Sequence, residues 1–247
     1  ALGALGIPSE AARTLAAAVA VMQFNAFQLQ EPGALGLYER TSMIAHSCCP
    51  SASFALSERD ELIVTALKSM KAGEEITISY LEQDCLLQST PQRRQRLEGW
   101  LFTCHCERCS WPADLSRGFR CLDPDCPGVC FMPNPSGEEE SEDAEASLPC
   151  SACGEVIRGP ALDWSVEQED RLIARLGRDA GTASFEALDE QRLSALAVFK
   201  RHWLLAALEA ALLRLRSAQG DKAAAEADRE ERAAVRTEML APWPWLV

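Results

Sequence analysis

At 247 residues, 47% apolar and 25% charged, the chain has the composition of a folded protein of one or two domains. Its longest apolar run, residues 15–22, falls short of the ~20 residues that a membrane span needs. The opening ALGALG carries no signal-peptide pattern, so the expected location is cytoplasm or nucleus, and the missing initiator methionine suggests a piece of a longer polypeptide. A net charge of −13 leaves no basic face and argues against nucleic acid as a direct partner.

Residues 9–30 read as a helix. Ser9 is a cap, Glu10 lies in the favoured first turn, and Leu15, Val19, Met22 and Ala26 keep helical spacing. Val21 and Phe24 fall on the other side, which predicts burial on most faces. EPGALG at 31–36 then breaks the helix. Residues 52–57 and 61–68 predict a hairpin, and ITISY at 76–80 alternates as a half-buried strand does. Thr90 before Pro91 marks a helix start, and that helix should run through Leu97 to about Leu101.

Residues 111–160 are proline-rich with little periodicity and hold an acidic run, 137–145, that reads as a solvated insertion. From Leu162 the pattern is helical. Leu196, Phe199, Trp203, Ala207 and Ala210 form one stripe, with Phe199 and Trp203 as core residues. Gly220 stops that helix, and Asp221 caps an antiparallel partner running through Arg236 until Pro242. The fold class is α+β: short strands and helices, then cysteine-rich segments, then a C-terminal helical region.

Eleven cysteines without a secretory signal point to metal rather than disulfides. Cys104, Cys106 and Cys109 form C-x-C-x-x-C. A structural zinc wants four ligands, so a fourth must come from His105 or from a distant cysteine, and Cys48 or Cys49 is the better donor. Cys121 and Cys126, with Cys150 and Cys153 before Gly154, read as a zinc ribbon, in which Cys130 could replace a partner. The stretch has little core of its own and needs such a staple. Cys49, Cys85 and Cys130 are left as free thiols, Cys85 as a small buried residue.

Three segments in order, GLYERTSMIAHSCCPSASFAL (36–56), KAGEEITISY (71–80) and RLEGWLFTCHCERC (96–109), resemble the C-terminal half of a SET domain of the SMYD type, the protein lysine methyltransferases with SET and MYND domains. The resemblance covers about residues 20–110. It implies a partial SET domain over 1–103, a post-SET zinc cluster at 104–110, a ribbon-like segment at 111–160 and a helical tail at 161–247. It implies S-adenosylmethionine as cofactor, two structural zinc ions, and a lysine in a protein, such as a histone, as substrate. Tyr80 corresponds to the tyrosine at the methyl-transfer point and Trp100 to an aromatic wall of the lysine channel. Asn25 and the Ala45–His46 segment fall beside the cofactor, and Cys48 joins Cys104, Cys106 and Cys109 on the post-SET zinc.

Two positions depart from the family pattern: Ala45 stands where it has asparagine, and Ser51 where it has asparagine after Pro50. The family's N-terminal strands, glycine-rich cofactor loop and MYND finger are not expected within this stretch. Beside the enzyme stands a second reading from another class, a zinc-stapled SET-like module that binds partners without catalysis.

Overall fold

A computed structural model describes residues 9–135, 147–179 and 182–218, with scattered positions between 220 and 242. ALGALG, the acidic run and most of the helix expected after Asp221 lie outside the described residues. The chain divides into two compact units: residues up to Tyr80 together with Gly99–Phe102, and Leu81–Glu98 together with residues from Thr103 onward.

In the first unit, the alanine-rich α1 (Ser9–Asn25) has a composition that favours helix. It ends five residues before the expected boundary. Phe27 and Gln28 leave it as β1 (Phe27–Gln28), paired antiparallel with β2 (Leu35–Gly36) across the EPGA turn. The Gln28 amide donates to the carbonyls of Glu31 and Ala34, at 3.2 and 3.0 Å, and fixes that turn. The expectation that α1 is buried on most faces is corrected. Leu15, Val19 and Val21 are 46%, 56% and 48% exposed, because among the described residues no element packs over them.

β3 (Ala45–His46) runs parallel to β6 (Thr77–Ile78), so only the centre of ITISY is strand. The expected alternation is corrected: Ile76 and Ile78, two apart and so on one face of a regular strand, differ, Ile78 buried and Ile76 exposed, because Ile76 lies before the strand begins. β4 (Ala52–Leu56) and β5 (Leu62–Ala66) form the expected hairpin, Phe54 opposite Val64. Asp60 turns it in the left-handed region (φ 58°), and its carbonyl accepts the Tyr38 hydroxyl at 2.5 Å. Ser51 is buried. Its backbone N–H donates to Thr77 Oγ1 (3.0 Å) and its hydroxyl accepts the Thr77 N–H (2.9 Å), tying the Cys48–Ser51 stretch to β6.

The first α-helix of the second unit is α2 (Thr90–Leu97). The cap is Ser89, one residue before the expected Thr90, because a reciprocal capping box with Gln92 forms there. The helix ends at Leu97, short of Leu101, and a 3-10 turn follows at Glu98–Trp100. The supposedly aperiodic stretch holds β7 (Ala113–Arg120), β8 (Val129–Pro133) and the β9 (Ser147–Pro149) and β10 (Val156–Arg158) hairpin.

Three helices follow: α3 (Pro160–Asp179), α4 (Phe185–Val198) and α5 (Trp203–Ala218). The continuous helical stripe is corrected, because Phe199 begins a short strand, β11 (Phe199–His202), that pairs with β7 in the order β11-β7-β8. Phe199 and Trp203 are core residues as expected. Gly220 adopts φ 79° just past α5, as a helix-stopping glycine does.

A buried charge cluster joins β7, α3 and β11. Arg117 grips Glu169 with both arms of its guanidinium, at 3.0 and 2.6 Å, and His202 Nε2 lies 3.3 Å from the same carboxylate. The Leu204 N–H donates to His202 Nδ1, which leaves the proton on Nε2 to face Glu169. Burial raises the Glu169 pKa, but the His202 and Arg117 hydrogen bonds outweigh it and hold it at about 2. Burial pulls His202 below its usual 6.5.

Both shifts have the same consequence. A depressed carboxylate stabilises the fold above its unfolded pKa and loses that contribution as pH falls toward the folded one. A depressed histidine must be charged in the unfolded chain first. Stability is therefore expected to decline from about pH 6.5 downward and to fall further below about pH 4.5. Glu169→Gln should cost about 3–5 kcal/mol at pH 7 by stranding Arg117, and it should flatten the acid limb. Urea midpoints measured against pH test this, and parallel curves for the two proteins would refute it.

Candidate functional site

The first unit gathers aromatic rings at the end of β6. Tyr80 follows the strand, and its backbone N–H donates to His46 Nδ1 at 2.9 Å. That bond requires a lone pair on Nδ1, so the imidazole proton sits on Nε2, which faces Cys48 Sγ at 3.3 Å. His46 thus spends both nitrogens on holding Tyr80 and Cys48. The Tyr80 hydroxyl donates to the Ile44 carbonyl at 2.8 Å, and burial pushes its pKa up, keeping the phenol neutral.

Trp100 and Phe102 complete the cluster. The Tyr80 ring lies 5.7 Å from Trp100 and 6.3 Å from Phe102, edge-on to the latter, and His46 is 5.9 Å from Phe102. Two residues that flank a third can both meet Tyr80 because Leu101 adopts φ 61° and is 81% exposed. A non-glycine residue in the left-handed region costs on the order of 1 kcal/mol, so the surrounding packing holds this turn.

A cavity of about 300 Å³ opens beside these rings, with Asn25, Phe27, Ile44, Phe54, Tyr80 and Trp100 in its lining. Asn25 reaches it from the end of α1. Its Nδ2 donates to the Val21 carbonyl at 3.0 Å, and its own carbonyl accepts the Ser42 hydroxyl at 2.9 Å. Ala45 is exposed on β3 and offers only a methyl group. Phe27, Phe54 and Phe102 were not among the expected site residues. Phe27 was hidden inside the predicted helix. Phe102 could have been found from its i+2 spacing to Trp100, had the intervening residue been read as turned outward.

Two separate groups of cysteines gather their sulfurs, each within itself. Cys104, Cys106 and Cys109 bring their sulfurs within 4.8 Å of each other, with Cys104 and Cys109 buried. His105 is exposed between them and is not in the group. Cys48, in the first unit, is fully buried.

The second cluster is Cys121, Cys126, Cys150 and Cys153, all within the same 4.8 Å limit. The sulfurs of Cys121 and Cys153 are 3.5 Å apart, and those of Cys126 and Cys150 are 3.7 Å apart. A tetrahedral zinc with Zn–S of about 2.3 Å requires sulfur separations of about 3.8 Å, so a four-thiolate donor set of this size fits zinc. The backbone N–H groups of Cys153 and Ala152 hold the Cys150 thiol down at about 6. Gly128 makes room for it, since a Cβ there would sit 2.2 Å from the Cys150 sulfur. Cys130 stays outside the group. It is fully buried, and burial pushes its thiol up to about 12, which suits a protonated core residue. Cys85 is partly exposed rather than buried, a correction to its expected place; it sits at the start of a short 3-10 turn on the surface of the second unit.

Part of the chain matches known proteins. Residues 13–81 match the SET domain family. The chain is 39% identical over 82 residues to the histone-lysine N-methyltransferase SMYD3 of Mus musculus, covering 33% of this chain and 18% of that protein. It is 37% identical over 113 residues to the protein-lysine N-trimethyltransferase SMYD5 of Gallus gallus, covering 44% and 24%. To the histone-lysine N-methyltransferase ASHR1 of Arabidopsis thaliana it is 37% identical over 106 residues, covering 39% and 21%. The chain therefore spans only about a fifth of the length of these curated relatives. Among the described residues no helix is long and apolar enough to cross a membrane.

Proposed function

Starting from a SET domain at residues 13–81, we propose that this chain contributes the lysine-binding half of an S-adenosylmethionine-dependent protein lysine methyltransferase of SMYD type. The observation that carries the reading is the convergence of Tyr80, Trp100, Phe102 and His46 beside an aromatic-lined cavity, His46 and Tyr80 lying within the matched SET region.

The residues at this cavity fit one wall of a cofactor site: Asn25, Gln28, Thr41, Ser42, Ser79 and Tyr80 bring polar groups among apolar and aromatic neighbours. When bound, S-adenosylmethionine supplies a methyl group on a sulfonium sulfur. The work left to the protein is to present a neutral amine in line with that methyl. A free lysine is charged below a pKa of ~10.4. A channel walled by Tyr80, Trp100 and Phe27 disfavours the ammonium form by desolvation and holds the chain of the lysine straight. Tyr80 then orients the nitrogen, and such positioning is worth several kcal/mol of barrier. Methyl transfer would leave the amine as a methylated ammonium, and its proton would pass to solvent.

In the same reading Cys48 is the fourth ligand of a structural zinc with Cys104, Cys106 and Cys109, and the ribbon cysteines hold a second. Three thiolates fall one short of a closed structural site, which supports a further sulfur donor. Cys48 lies two residues after His46, and Cys104 two after Phe102. A shared ion would couple both flanks of the aromatic cluster. The relatives' names point to lysines in proteins, histones among them, as the substrate class.

The test is transfer of labelled methyl from S-adenosylmethionine to lysines of a protein pool, with cofactor binding followed by calorimetry. Label on lysine is expected. No transfer and no binding would overturn the reading. The methyl of Ala45, where the family carries an amide, favours the second reading of a SET-like interaction module, and binding without transfer would move the assignment there.

A further inference from the structure

We infer that Arg93 is the resident counter-cation of the Cys104–Cys106–Cys109 centre, a positioning residue that governs how firmly this centre keeps its metal. The inference rests on the proposal above that these thiolates bind zinc.

Arg93 is the largest fully buried side chain described, at 0% exposure in the middle of α2. One guanidinium nitrogen donates to Thr90 Oγ1 at 2.9 Å and lies 3.6 Å from Cys109 Sγ. The other arm donates to the Gln88 carbonyl. The next residue works on the same turn from its backbone side: Arg94 Nε donates to the Cys104 carbonyl at 3.2 Å, and its Nη2 to the Cys109 carbonyl at 3.3 Å. Consecutive arginines thus hold both ends of C-x-C-x-x-C, one through carbonyls and one through a ligand sulfur.

The chemistry explains why the second contact matters. A guanidinium does not give up its proton in a protein, so its full charge must be accommodated wherever it is buried. Thr90 Oγ1 and the Gln88 carbonyl are neutral acceptors. A zinc-bound thiolate is an anion, and three thiolates on a divalent ion leave a net charge of −1, or −2 with Cys48 as the fourth. The buried cation beside Cys109 offsets that charge where water cannot. Its N–H also draws electron density from the sulfur, as outer-shell partners of metal ligands do when they tune affinity. Among the described residues the four ribbon sulfurs meet one another and backbone N–H groups, those of Gly128, Ala152 and Cys153 among them, and no charged side chain bonds to them. The two centres should therefore answer differently to one substitution.

The test uses the whole chain loaded with zinc, with metal counted by elemental analysis and its release followed in a colorimetric chelator. Two zinc ions leaving in two phases are expected for the unaltered protein. Arg93→Gln should accelerate release from the Cys104–Cys109 centre by about 10- to 100-fold and leave the ribbon phase unchanged. Mass mapping of alkylated cysteines assigns the phases, and Cys104, Cys106 and Cys109 should be labelled first.

A purely structural Arg93 is distinguished by melting temperature, which should drop in the zinc-loaded protein and not in the chelator-stripped one. Equal drops in both, or an unchanged release rate with two zinc ions bound, would overturn the inference. A single zinc mapped to the ribbon in the unaltered protein would overturn the metal reading beneath it. Should Arg93→Gln not fold, Arg93→Lys carries the same comparison: it keeps the charge, loses the fork and should fall between the two.

Discussion

Replacing Cys150 with serine is expected to cost the chain one equivalent of zinc and the order of β8, β9 and β10. The strands of this region are short, three to eight residues, and their apolar burial is thin: Val129, Cys130, Leu148 and Ile157 are the core residues of the last three. Apparent zinc affinities in structural sites correspond to about 10–16 kcal/mol, as large as the ~5–15 kcal/mol that stabilises a whole domain. Cys150 is also the most tightly built of the four positions. Its N–H donates to the Glu155 carbonyl at 2.7 Å, its carbonyl accepts the Gly154 N–H at 3.1 Å, and its sulfur fills the space at Gly128. A serine oxygen there is a poor ligand for a site otherwise made of sulfur. Metal analysis should fall from two zinc ions to one, and hydrogen exchange across residues 129–158 should accelerate. Cys130→Ala is the control. That thiol lies outside the cluster, so its removal should leave both zinc ions in place and produce only a packing loss. Loss of metal from the alanine variant with retention in the serine variant would reverse the ligand assignment.

That contrast between Cys130 and Cys150 also marks how much the sequence could say. Short cysteine spacings are local, and the pairs 121/126 and 150/153 were readable without coordinates. The hairpin at 52–66 was readable for the same reason, since period-two alternation around a polar turn needs no distant partner. Pairings over long separations were not. Phe199, Lys200, Arg201 and His202 continue an apparent helical stripe, and what pulls them into a strand is β7, some eighty residues earlier, with His202 opposite Arg117. Arg201 adopts φ 56° there, a conformation that no residue pattern announces. β7 itself escaped notice because two of its inward positions are Asp114 and Ser116, buried yet polar. They are satisfied by the start of α2 and by Arg108: Asp114 accepts the Thr90 N–H at 2.7 Å, and Ser116 the Arg108 guanidinium at 2.9 Å. In the candidate site, Tyr80 and Trp100 were legible from motif resemblance. Phe27 and Phe102 were not, because one required the helix to end early and the other required Leu101 to turn outward.

Tyr80→Phe is expected to lower the rate of methyl transfer by about 10²–10³ in kcat, on the scale of losing one positioned hydrogen-bonding group, while KM moves only a few-fold. The substitution keeps the ring that meets His46, Trp100 and Phe102, so the cluster retains its shape. What disappears is the hydroxyl that donates to the Ile44 carbonyl, on a residue that lines the cavity. The fold should lose only about 0.5–1.5 kcal/mol with that hydrogen bond, separating a chemical role from a structural one. Trp100→Ala gives the complementary signature. Removing a wall without touching the hydroxyl should raise KM more than it lowers kcat, because the lysine chain loses contact surface in ground and transition state alike. Single-turnover transfer of labelled methyl with each variant, alongside urea unfolding, distinguishes the two. If Tyr80→Phe transferred methyl at the unaltered rate, the aromatic cluster would be a packing core and the assignment of Tyr80 to the amine would fall, whatever the zinc content of the protein.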